Sequence, residues 1–353
     1  MQRTDTVKQL HTSNLNIASG NIDLSHGGGG RAMTQLIECL FIKHFDNHWL
    51  RQANDQALFA TQQGRMVIST DGHVISPLFF PGGDIGSLSV YGTVNDIAMS
   101  GAKPLYLAAG FILEEGFPLA ELEKIVMSMA AAARQTGTPI ITGDTKVVER
   151  GKADGVFITT TGVGVVPAGV NISANRAQPG CAILLSGSIG DHGVAIMASR
   201  ENLQFGTQLR SDSAPLHTLV AAMLDSAPTD LYCLRDPTRG GVATALNELA
   251  QQSGVGMLID ENCIPVKADV KAVCEILGLD PLYIANEGKL ICICSAAAAE
   301  PLLTAMRKHP LGHEALQIGI VQADEHGFVQ MKTTFGGRRI VDWPVGEQLP
   351  RIC

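Results

Sequence analysis

The sequence predicts a two-domain protein with an α+β or α/β core in each half. Four observations favour this fold. The 353 residues exceed the usual length of a single domain. Apolar patterns of helical and of strand period alternate in both halves of the chain. A polar stretch at residues 167–179 separates the two halves, and a hydrophobic content of 45% is typical of a folded globular protein.

The first half begins with a polar, aperiodic stretch, so residues 1–24 are predicted to be an N-terminal extension. A run of four glycines then leads into residues 32–45, whose apolar positions have helical spacing. Residues 25–45 are therefore predicted to form a glycine loop and a helix. The other predicted elements of this half are a strand at 66–70 that ends at Asp71-Gly72, helices at 85–100 and 118–135, a strand at 139–142 that leads to a loop at 143–146, and a strand at 156–165.

The second half repeats this alternation. Its predicted elements are a strand at 181–185, a glycine-rich turn at 186–193, helices at 214–226, 239–252 and 266–277, and strands at 255–259 and 290–294. The domains are predicted to be an N-terminal one at 46–166 and a C-terminal one at 178–332.

Residues 335–353 are predicted to be a flexible tail, because this segment mixes Gly, Pro and charged residues without an amphipathic period. Its last residue is Cys353. An extended segment of this length could carry a thiol about 60 Å from its anchor, at roughly 3.3 Å per residue. Position alone does not distinguish a swinging carrier from a cysteine that has no role.

The composition excludes several classes of function. A net charge of −8 and a pI of about 5.7 argue against nucleic-acid binding through the overall electrostatic field. Apolar runs fall short of a membrane span and residues 1–20 lack a signal-peptide core, so we expect a cytoplasmic protein without a membrane partner. The eight cysteines are expected to be reduced and mostly buried in the core, Cys292 and Cys294 included.

Carboxylates recur beside glycines at the predicted ends of elements. These residues are Asp71, Asp144, Asp191 and Asp236. Each one alone is ordinarily a helix cap or a turn residue. Asp96 differs, because it follows Asn95 inside an apolar predicted helix, where an unpaired carboxylate needs a cation or hydrogen-bond donors.

Several carboxylates together with glycine loops that expose backbone N–H groups are the parts that hold Mg²⁺ and a nucleoside triphosphate. The chain contains no G-x-x-x-x-G-K-[ST] string of a P-loop, and no G-x-G-x-x-G string introduces a Rossmann unit. The sequence therefore predicts phosphate chemistry on another nucleotide-binding fold.

The motifs that carry these residues are His26-Gly27-Gly28-Gly29-Gly30-Arg31, Ser69-Thr70-Asp71-Gly72, Pro81-Gly82-Gly83-Asp84-Ile85-Gly86, Gly92-Thr93-Val94-Asn95-Asp96, Gly143-Asp144-Thr145-Lys146, Gly190-Asp191-His192-Gly193, Asp236-Pro237-Thr238-Arg239-Gly240-Gly241, Asn286-Glu287-Gly288-Lys289 and Pro350-Arg351-Ile352-Cys353. Through them the chain resembles the HypE family of hydrogenase maturation proteins, within the wider aminoimidazole ribonucleotide synthetase-like (PurM-like) ATP enzymes. The resemblance covers about residues 22–353 in order. The chain departs from the family pattern in its first residues and at Gly28, where a small polar residue is frequent.

The resemblance implies a two-domain PurM-like subunit of the α+β class that forms a homodimer through its N-terminal sheet and binds ATP and Mg²⁺ near that interface. It also implies that a partner carbamoyltransferase, HypF, loads a carbamoyl group on the terminal thiol. The protein would then dehydrate this thiocarboxamide to a thiocyanate. The product supplies the cyanide ligand of a nickel-iron hydrogenase, with a HypC–HypD iron scaffold complex as acceptor.

The resemblance assigns roles to individual residues. Cys353 is the expected carrier nucleophile, Lys146 and Glu287 are the expected base candidates or else a structural ion pair, and Arg351 is expected to dock the tail. The expected ATP and phosphate ligands are Gly28, Gly29, Gly30, Asp71, Asn95, Asp96, Gly143, Asp144, Thr145, His192, Asp236 and Thr238. The metal ligands among them are Asp71, Asp96, Asp144 and Asp236. His192 could instead cap the helix that follows it.

Two alternatives remain open from the sequence. The first is another PurM-like ATP enzyme, such as a ribonucleotide cyclase, a thiamine-phosphate kinase or a selenide-activating synthetase, none of which needs a terminal cysteine. The second is a non-enzymatic scaffold that passes a thiol-bound group between partners. The dense set of Asp and Gly motifs argues against the second.

Overall fold

The computed structural model describes residues 15–201, 209–344, 346 and 351–352. The strands of the N-terminal domain are β1 (Arg65–His73), β2 (Phe79–Phe80), β3 (Gly83–Asp84), β4 (Lys103–Glu114), β5 (Ile140–Val148) and β6 (Val156–Val166). In the described chain, four of them form a sheet in the order β1-β6-β4-β5, and β2 pairs with β3 in a small hairpin. The β4 and β5 strands are parallel, while the other neighbours in the sheet are antiparallel.

The helices of this domain are α1 (Arg31–Leu36), a π-helical segment (Ile37–Ile42), α2 (Lys43–Phe45), α3 (His48–Arg51), α4 (Ile85–Met99) and α5 (Leu119–Thr136), after a 3-10 turn at Leu24–Gly27. One face of the sheet is covered by α4 and α5. The carboxylate of Asp84 caps α4 by accepting from the N–H groups of Gly86 at 2.7 Å and Ser87 at 3.1 Å. Gly137 ends α5 with a left-handed φ of 65°.

The opposite face of the sheet is open. Side chains alternate between the two faces along each strand. Those on the open face include Met66, Ile68 and Ile112, which are 49%, 70% and 41% exposed. Among the described residues, the outer strands β1 and β5 have no further strand partner. Exposed apolar side chains on a sheet with free edges are typical of a surface that associates with another chain.

The strands of the C-terminal domain are β7 (Ala182–Leu185), β8 (Leu231–Arg235), β9 (Gly256–Asp260), β10 (Ile291–Cys294), β11 (Leu316–Gln322), β12 (Val329–Lys332) and β13 (Arg338–Ile340). They form one sheet in the order β13-β12-β9-β11-β7-β10-β8. The helices are α6 (Asp191–Arg200), α7 (His217–Ser226), α8 (Gly241–Ser253), α9 (Ala268–Leu277) and α10 (Ala299–Arg307), with 3-10 turns at Glu261–Cys263, Pro281–Tyr283, Ala296–Ala298 and Pro310–Gly312.

Helices cover both faces of this second sheet. One apolar core lies between the sheet and α8, and a second lies between the sheet and the pair α7 and α10. Cys292 and Cys294 are fully buried in the second core. No helix in the described part of the chain combines the length and the apolar character needed to cross a bilayer. The predicted α+β class is confirmed.

Two predicted strand ends are wrong. The sequence placed a strand end at Asp71 and a loop at residues 143–146, but β1 continues to His73 and β5 to Val148. Gly143 lies inside β5, where the strand runs very close to β4. A Cβ at this position would collide with the carbonyl oxygen of Ala109. This glycine therefore allows close strand pairing and does not mark a turn. The sequence patterns also miss β4, because Pro104 reads as a stop signal although it lies near the first residue of the strand.

The prediction of a flexible tail from residue 335 is wrong for the described residues of that segment. Residues Arg338–Ile340 form β13 on the edge of the C-terminal sheet, and Val341 is fully buried in its core. Ile352 is 6% exposed and belongs to the apolar core of the N-terminal domain. Edge-strand pairing and the burial of single apolar side chains hold these residues in place. Neither requires a helical or strand period over the whole segment.

Candidate functional site at the domain interface

Four carboxylates from both domains gather at the domain interface. Asp71 lies on β1 and Asp96 on α4, while Asp236 follows β8 and Glu287 precedes β10. Two hydrogen bonds bring them together: Asn95, next to Asp96, donates to the Glu287 carbonyl oxygen at 3.3 Å, and Ser69, on β1 with Asp71, donates to Asp96 at 2.7 Å. The charges of all three aspartates raise the pKa of the Glu287 carboxyl. The structure thus brings together three of the four expected metal ligands and one of the two base candidates.

Glu287 is the most buried of these four side chains, at 5% exposure. Its Oε1 has no hydrogen-bond partner among the described residues. Burial, followed by the neighbouring carboxylates with Asp236 first, raises the pKa of Glu287 well above its usual range. Without a nearby cation or donor, the site therefore favours the protonated carboxyl more than water does.

The partly exposed carboxyls of Asp236 and Asp96 show the same effect. Burial raises the pKa of Asp236 to about 7, and the charge of Asp96 adds to this rise. Burial also raises the pKa of Asp96, against a hydrogen bond donated by the Ser69 hydroxyl at 2.7 Å. Thr238 lies in the turn that joins Asp236 to α8, where its N–H donates to the Asp236 carbonyl oxygen at 3.0 Å. The positive charges of Arg235 and Arg239 offset only part of the rise in the pKa of Asp96, and a divalent cation would supply further positive charge.

Asp71 lies next to His73 and Gly92, where β1 packs against α4. His73 Nε2 lies 3.7 Å from Asp71 Oδ2, and burial lowers the pKa of this histidine against the attraction of Asp71. His73 is therefore neutral near pH 7 and does not offset the carboxylate charge. A Cβ at Gly92 would lie 3.3 Å from Asp71 Oδ2, so the glycine lets the helix approach the strand at this point.

Asn95 joins the two domains. Its side chain is 1% exposed and donates to the carbonyl oxygens of Ala214 at 3.1 Å and Glu287 at 3.3 Å. Its Oδ1 accepts from the N–H of Leu216 at 2.7 Å. All three bonds run from α4 to the backbone of the C-terminal domain. Asn95 therefore holds the two domains together. Its expected role as an ATP ligand stays a prediction.

Sequence reasoning missed Asp212, which touches the backbone of Glu287. Asp212 Oδ1 accepts from the Glu287 N–H at 3.1 Å, and Oδ2 lies 3.2 Å from Lys289 Nζ. The Asp212 and Lys289 side chains are 3% and 14% exposed. Asp212 adjoins no glycine and precedes a predicted helix, so no motif marks it. The polar run Ser211-Asp212-Ser213 is the one signal that could have found it.

The glycine loop lies over β5. A Cβ at Gly27 would lie 3.0 Å from the Val147 backbone nitrogen, so the loop and the strand are in close contact. Gly29 has a φ of 75°, and a Cβ at Gly29 or Gly30 would meet nothing within 4 Å. Gly30 precedes α1 without a side-chain cap, and the Gly28 N–H donates to the Ser25 carbonyl at 3.3 Å. Backbone therefore faces open space here, as in loops that bind phosphate.

Lys146 is paired with Asp144 on β5, not with Glu287. Lys146 Nζ lies 2.7 Å from Asp144 Oδ2, and the two side chains are 63% and 62% exposed. The Lys146 hydrogen bond lowers the pKa of Asp144. Thr145 turns its side chain to the buried face and donates its N–H to Asp144 Oδ1 at 2.9 Å. The expected alternative of a structural Lys146–Glu287 ion pair is wrong within one chain.

The two groups of expected ligands lie on opposite faces of the N-terminal sheet. Asp71 on β1 and Gly143 on β5 lie in the same row of paired residues, which crosses the sheet through β6 and β4. Three strand spacings separate β1 from β5, or about 14 Å. Asp71 faces α4, whereas Asp144 and Lys146 face the open side. Within one chain, Asp144 and Lys146 therefore do not join the carboxylates at the domain interface.

A cavity of about 280 Å³ adjoins the β5 group. It lies between the π-helical segment and β5, and its lining includes Phe41, Phe45, Trp49, Gly143 and Thr145. Aromatic walls at one end and strand backbone at the other are typical of a site for a flat ligand with a polar edge.

The C-terminal residues dock between the domains. His192, which is fully buried, has Nε2 2.7 Å from the Ile352 carbonyl oxygen and Nδ1 2.7 Å from the Ser211 hydroxyl. Burial lowers the pKa of His192. Since a carbonyl can only accept, Nε2 donates to it and Nδ1 accepts from Ser211. His192 thus contacts the chain end, and its expected nucleotide contact stays a prediction.

Arg351 is held from both domains. Its guanidinium forms an ion pair with Asp154 at 2.8 Å. Its carbonyl oxygen accepts from the Ser76 N–H at 3.2 Å and from Arg200 Nη2 at 2.9 Å. Arg351 was expected to dock the tail, and in this structure its guanidinium is paired with a carboxylate. Cys353, the expected carrier, lies outside the described residues.

The site fits a metal that is completed by phosphate. Within residues 15–201, 209–344, 346 and 351–352, no three Asp, Glu, His or Cys side chains converge so as to hold an ion alone. Nucleotide-bound Mg²⁺ commonly uses one or two carboxylates and takes its other ligands from phosphate and water. Buried carboxyls with raised pKa values and the unpaired Oε1 of Glu287 suit that arrangement.

Comparison with known proteins agrees with this architecture. Residues 53–166 match the family model for the N-terminal domain of AIR synthase related proteins, and residues 178–332 match the model for the C-terminal domain. The carbamoyl dehydratase HypE of Cupriavidus necator is 67% identical to this chain over 349 residues, which cover 99% of each protein. The chain belongs to the HypE family. It is therefore an enzyme of the PurM-like class, as the resemblance implied.

Solved HypE structures share this fold. A crystal structure of HypE in complex with ATP has a TM-score of 0.90 and 49% identity, and the match covers 94% of this chain and 99% of that one. A HypE–HypF complex contains a chain with a TM-score of 0.78 and 49% identity, over 88% of this chain and 99% of that one. ATP and HypF are therefore the ligand and partner of close relatives.

Proposed function

We propose that this protein is an ATP-dependent carbamoyl dehydratase that acts on a carbamoyl group carried by Cys353. The observation that supports this most directly is the docking of Ile352 on His192, since it brings the residue before Cys353 between the two domains. The name carbamoyl dehydratase, printed for the relative in C. necator, supports the reaction. The alternative of a small-molecule synthetase or kinase gives no reason for a docked chain end.

The reaction converts a thiocarboxamide to a thiocyanate by net loss of water. The amide oxygen is a poor leaving group, so it must first be phosphorylated by ATP. Two N–H protons are then removed, the C–O bond breaks, and inorganic phosphate leaves as the C≡N bond forms. The protein must therefore position phosphate, neutralise its charge and accept protons.

Glu287 is our proposed base. It is buried, has an unpaired oxygen, and lies at the interface where Ile352 docks. Its raised pKa means that it holds its proton strongly once it has accepted one. A base must be deprotonated before it acts, and a cation among Asp71, Asp96 and Asp236 would favour that form of Glu287.

Mg²⁺ and ATP would use both groups of residues described above. Asp71, Asp96 and Asp236 would hold the metal, with Asp144 as a further ligand. Magnesium would neutralise phosphate charge. The backbone N–H groups at Gly28, Gly29 and Gly30, with Gly143 and Thr145 beside them, would bind the nucleotide, and the neighbouring apolar cavity would take its base.

A homodimer would bring the two groups of residues together. The open sheet face is apolar at Ile68, and Lys146 and Asp144 lie on that same side. A second copy that packs on this face and extends past the free edge of β1 would place its β5 residues beside Asp71 of the first copy, so that each site draws residues from two chains. We propose this arrangement because one chain holds Lys146 away from Glu287.

The partners follow from the chemistry. A terminal thiol must be loaded with a carbamoyl group and then unloaded as cyanide. We propose HypF as the carbamoyl donor, since a HypE of the same family forms a complex with HypF. We propose a HypC–HypD iron scaffold complex as the cyanide acceptor on the family resemblance.

Peptide mass spectrometry tests this function. The protein is incubated with HypF, carbamoyl phosphate and ATP, and the peptide that contains Cys353 is followed with and without further Mg-ATP turnover. A carbamoyl mass on Cys353 that then loses one water supports the proposal. ATP consumption with an unmodified Cys353 peptide would reject it and favour a small-molecule substrate.

A further inference from the structure

We propose that the loop Ser211–Ser213 couples docking of the C-terminal residues to the position of Glu287, with Asp212 as the positioning residue. The chemical meaning of this link rests on the proposed function of Glu287. The link itself is a set of hydrogen bonds, which can be tested without catalytic turnover.

The first step of the link joins the chain end to Ser211. The Ile352 carbonyl accepts from His192, and His192 Nδ1 accepts from the Ser211 hydroxyl, each at 2.7 Å. Ser211 Oγ in turn accepts from the Ser213 N–H at 3.0 Å. His192 is fully buried, so water does not substitute readily for a missing partner. Loss of the docked carbonyl therefore leaves a buried N–H without its acceptor and loosens the chain of hydrogen bonds to Ser211.

The second step joins Asp212 to Glu287. Asp212 Oδ1 accepts from the Glu287 N–H at 3.1 Å, and Lys289 holds the other oxygen at 3.2 Å. A Cβ at Gly288 would collide with the Asp212 carbonyl oxygen, so the loop rests directly on the backbone beside Glu287. Because Ser211 and Asp212 are adjacent, a shift of Ser211 moves the acceptor that holds the Glu287 backbone.

The third step fixes the loop against the other domain. The Ser211 N–H donates to the Pro81 carbonyl at 2.8 Å, and Asn95 holds Ala214 and Leu216 from α4. Anchors on both sides of Asp212 limit the motions that the loop can make. The loop therefore has a defined docked arrangement, in which the carrier end and Glu287 are held together.

Hydrogen exchange of the full chain without ATP tests the link. The variant Ile352→Asp places a charge in an apolar core and releases the chain end. We expect about fivefold faster exchange for peptides that contain the Ser213 and Glu287 amides, the loss of about one hydrogen bond of protection. Peptides from β9 should not change. Exposed Ile276→Asp is the matched control, since Ile276 is 72% exposed on α9. Unchanged exchange at Ser213 and Glu287, or a uniform rise in every peptide, would overturn the coupling.

A kinetic experiment tests the position of Glu287. Protein preloaded with carbamoyl on Cys353 is mixed with Mg-ATP, and water loss from the peptide is timed. We expect Asp212→Ala to slow this step about tenfold, one lost hydrogen bond to a charged group, with the KM for ATP unchanged. Asp212→Asn should recover most of the rate, because an amide oxygen still accepts from Glu287. Exposed Asp225→Ala is the control.

The two experiments separate the two proposals. Equal rates for Asp212→Ala and the unsubstituted chain, or a rate loss explained wholly by KM, would reject the positioning role. If no chain dehydrates the carbamoyl group, the proposed function fails, and the exchange experiment still decides whether the chain end and Glu287 are coupled.

Discussion

The side-chain amide of Asn95 donates to the main-chain carbonyl of Glu287 at 3.3 Å, so a helix of one domain holds the proposed base of the other. The carboxyl of Glu287 meets carboxylates from both domains. The relative placement of the domains thus decides whether these groups meet at all. A hydrogen bond between a buried side-chain amide and the backbone suits this task. It forms only over a narrow range of distances and angles, and water does not reach the buried groups to replace either partner.

Replacement of Asn95 should weaken the domain interface. Asn95→Ala removes three hydrogen bonds and leaves buried backbone groups unpaired, which should lower the free energy of unfolding by about 3 kcal/mol. Urea denaturation measures this change. Exposed Asn21→Ala is the control and should have little effect. An equal, small loss in both variants would show that the amide does not hold the domains.

Replacement of Glu287 should separate stability from activity. Burial raises the pKa of Glu287 and so favours its neutral form, which Gln resembles in charge and shape. Glu287→Gln should therefore change the free energy of unfolding by less than about 1 kcal/mol. The dehydration rate should fall at least about 100-fold, as for loss of a general base.

The two readouts are thermal unfolding and the single-turnover assay. Exposed Glu275→Gln should leave both unchanged. A normal rate for Glu287→Gln would remove Glu287 from the role of base.

The stability of the ATP-free protein should fall with rising pH because of Asp236. Its pKa rises from 3.8 unfolded to about 7 folded. The folded chain therefore keeps a proton that the unfolded chain has lost between these values, and stability is lost across that window as the pH rises. Asp236→Asn cannot lose this proton, so it should gain of the order of 2 kcal/mol over the unsubstituted chain at pH 8 and little at pH 4. Parallel urea-stability curves across pH would contradict this expectation.

Binding of Mg-ATP should release protons. Glu287 and Asp236 hold protons that a cation beside them displaces. Calorimetric titration near pH 6.5 in buffers with different ionisation enthalpies measures the number released, and Asp236→Asn should release fewer. A binding heat that is the same in every buffer would mean that the metal avoids these carboxyls.

A charge on the open sheet face should prevent self-association. Ile68 is 70% exposed beside the free edge of β1, so Ile68→Asp should convert a dimer to monomers in light scattering and lower activity with it. Ile276→Asp, at a comparable exposure on the other domain, should not. Dimers that persist in Ile68→Asp would place the interface elsewhere.

The sequence predicted the elements with strong periods well. The helix predicted at residues 118–135 is α5, displaced by one residue, because a long apolar face and a glycine stop define it locally. The sequence did not predict that Asp71 and Lys146 face opposite sides of one sheet. Alternation places a side chain only once the register is known, and β4, which sets that register, gave no recognisable signal.

The site was predictable in composition and less so in arrangement. Asp71, Asp96 and Asp236 were expected as metal ligands and Glu287 as a base candidate. The structure brings these four side chains together, and their roles stay predictions. Asp212 was missed because its importance lies in one bond to a distant backbone N–H, which leaves no local pattern. Ile352 was missed for a similar reason, since its burial depends on a core contributed by another part of the chain.

The chain is held at Val341 and again at Arg351, with nine residues between the two points. When Arg351 is released, the terminal residue thus stays connected to the C-terminal domain by a segment of about a dozen residues. Once undocked to meet a partner, it competes for its own site at an effective concentration in the millimolar range, far above that of separate molecules in solution. A loaded thiol would therefore return to the molecule it left, and each protein would process its own cargo.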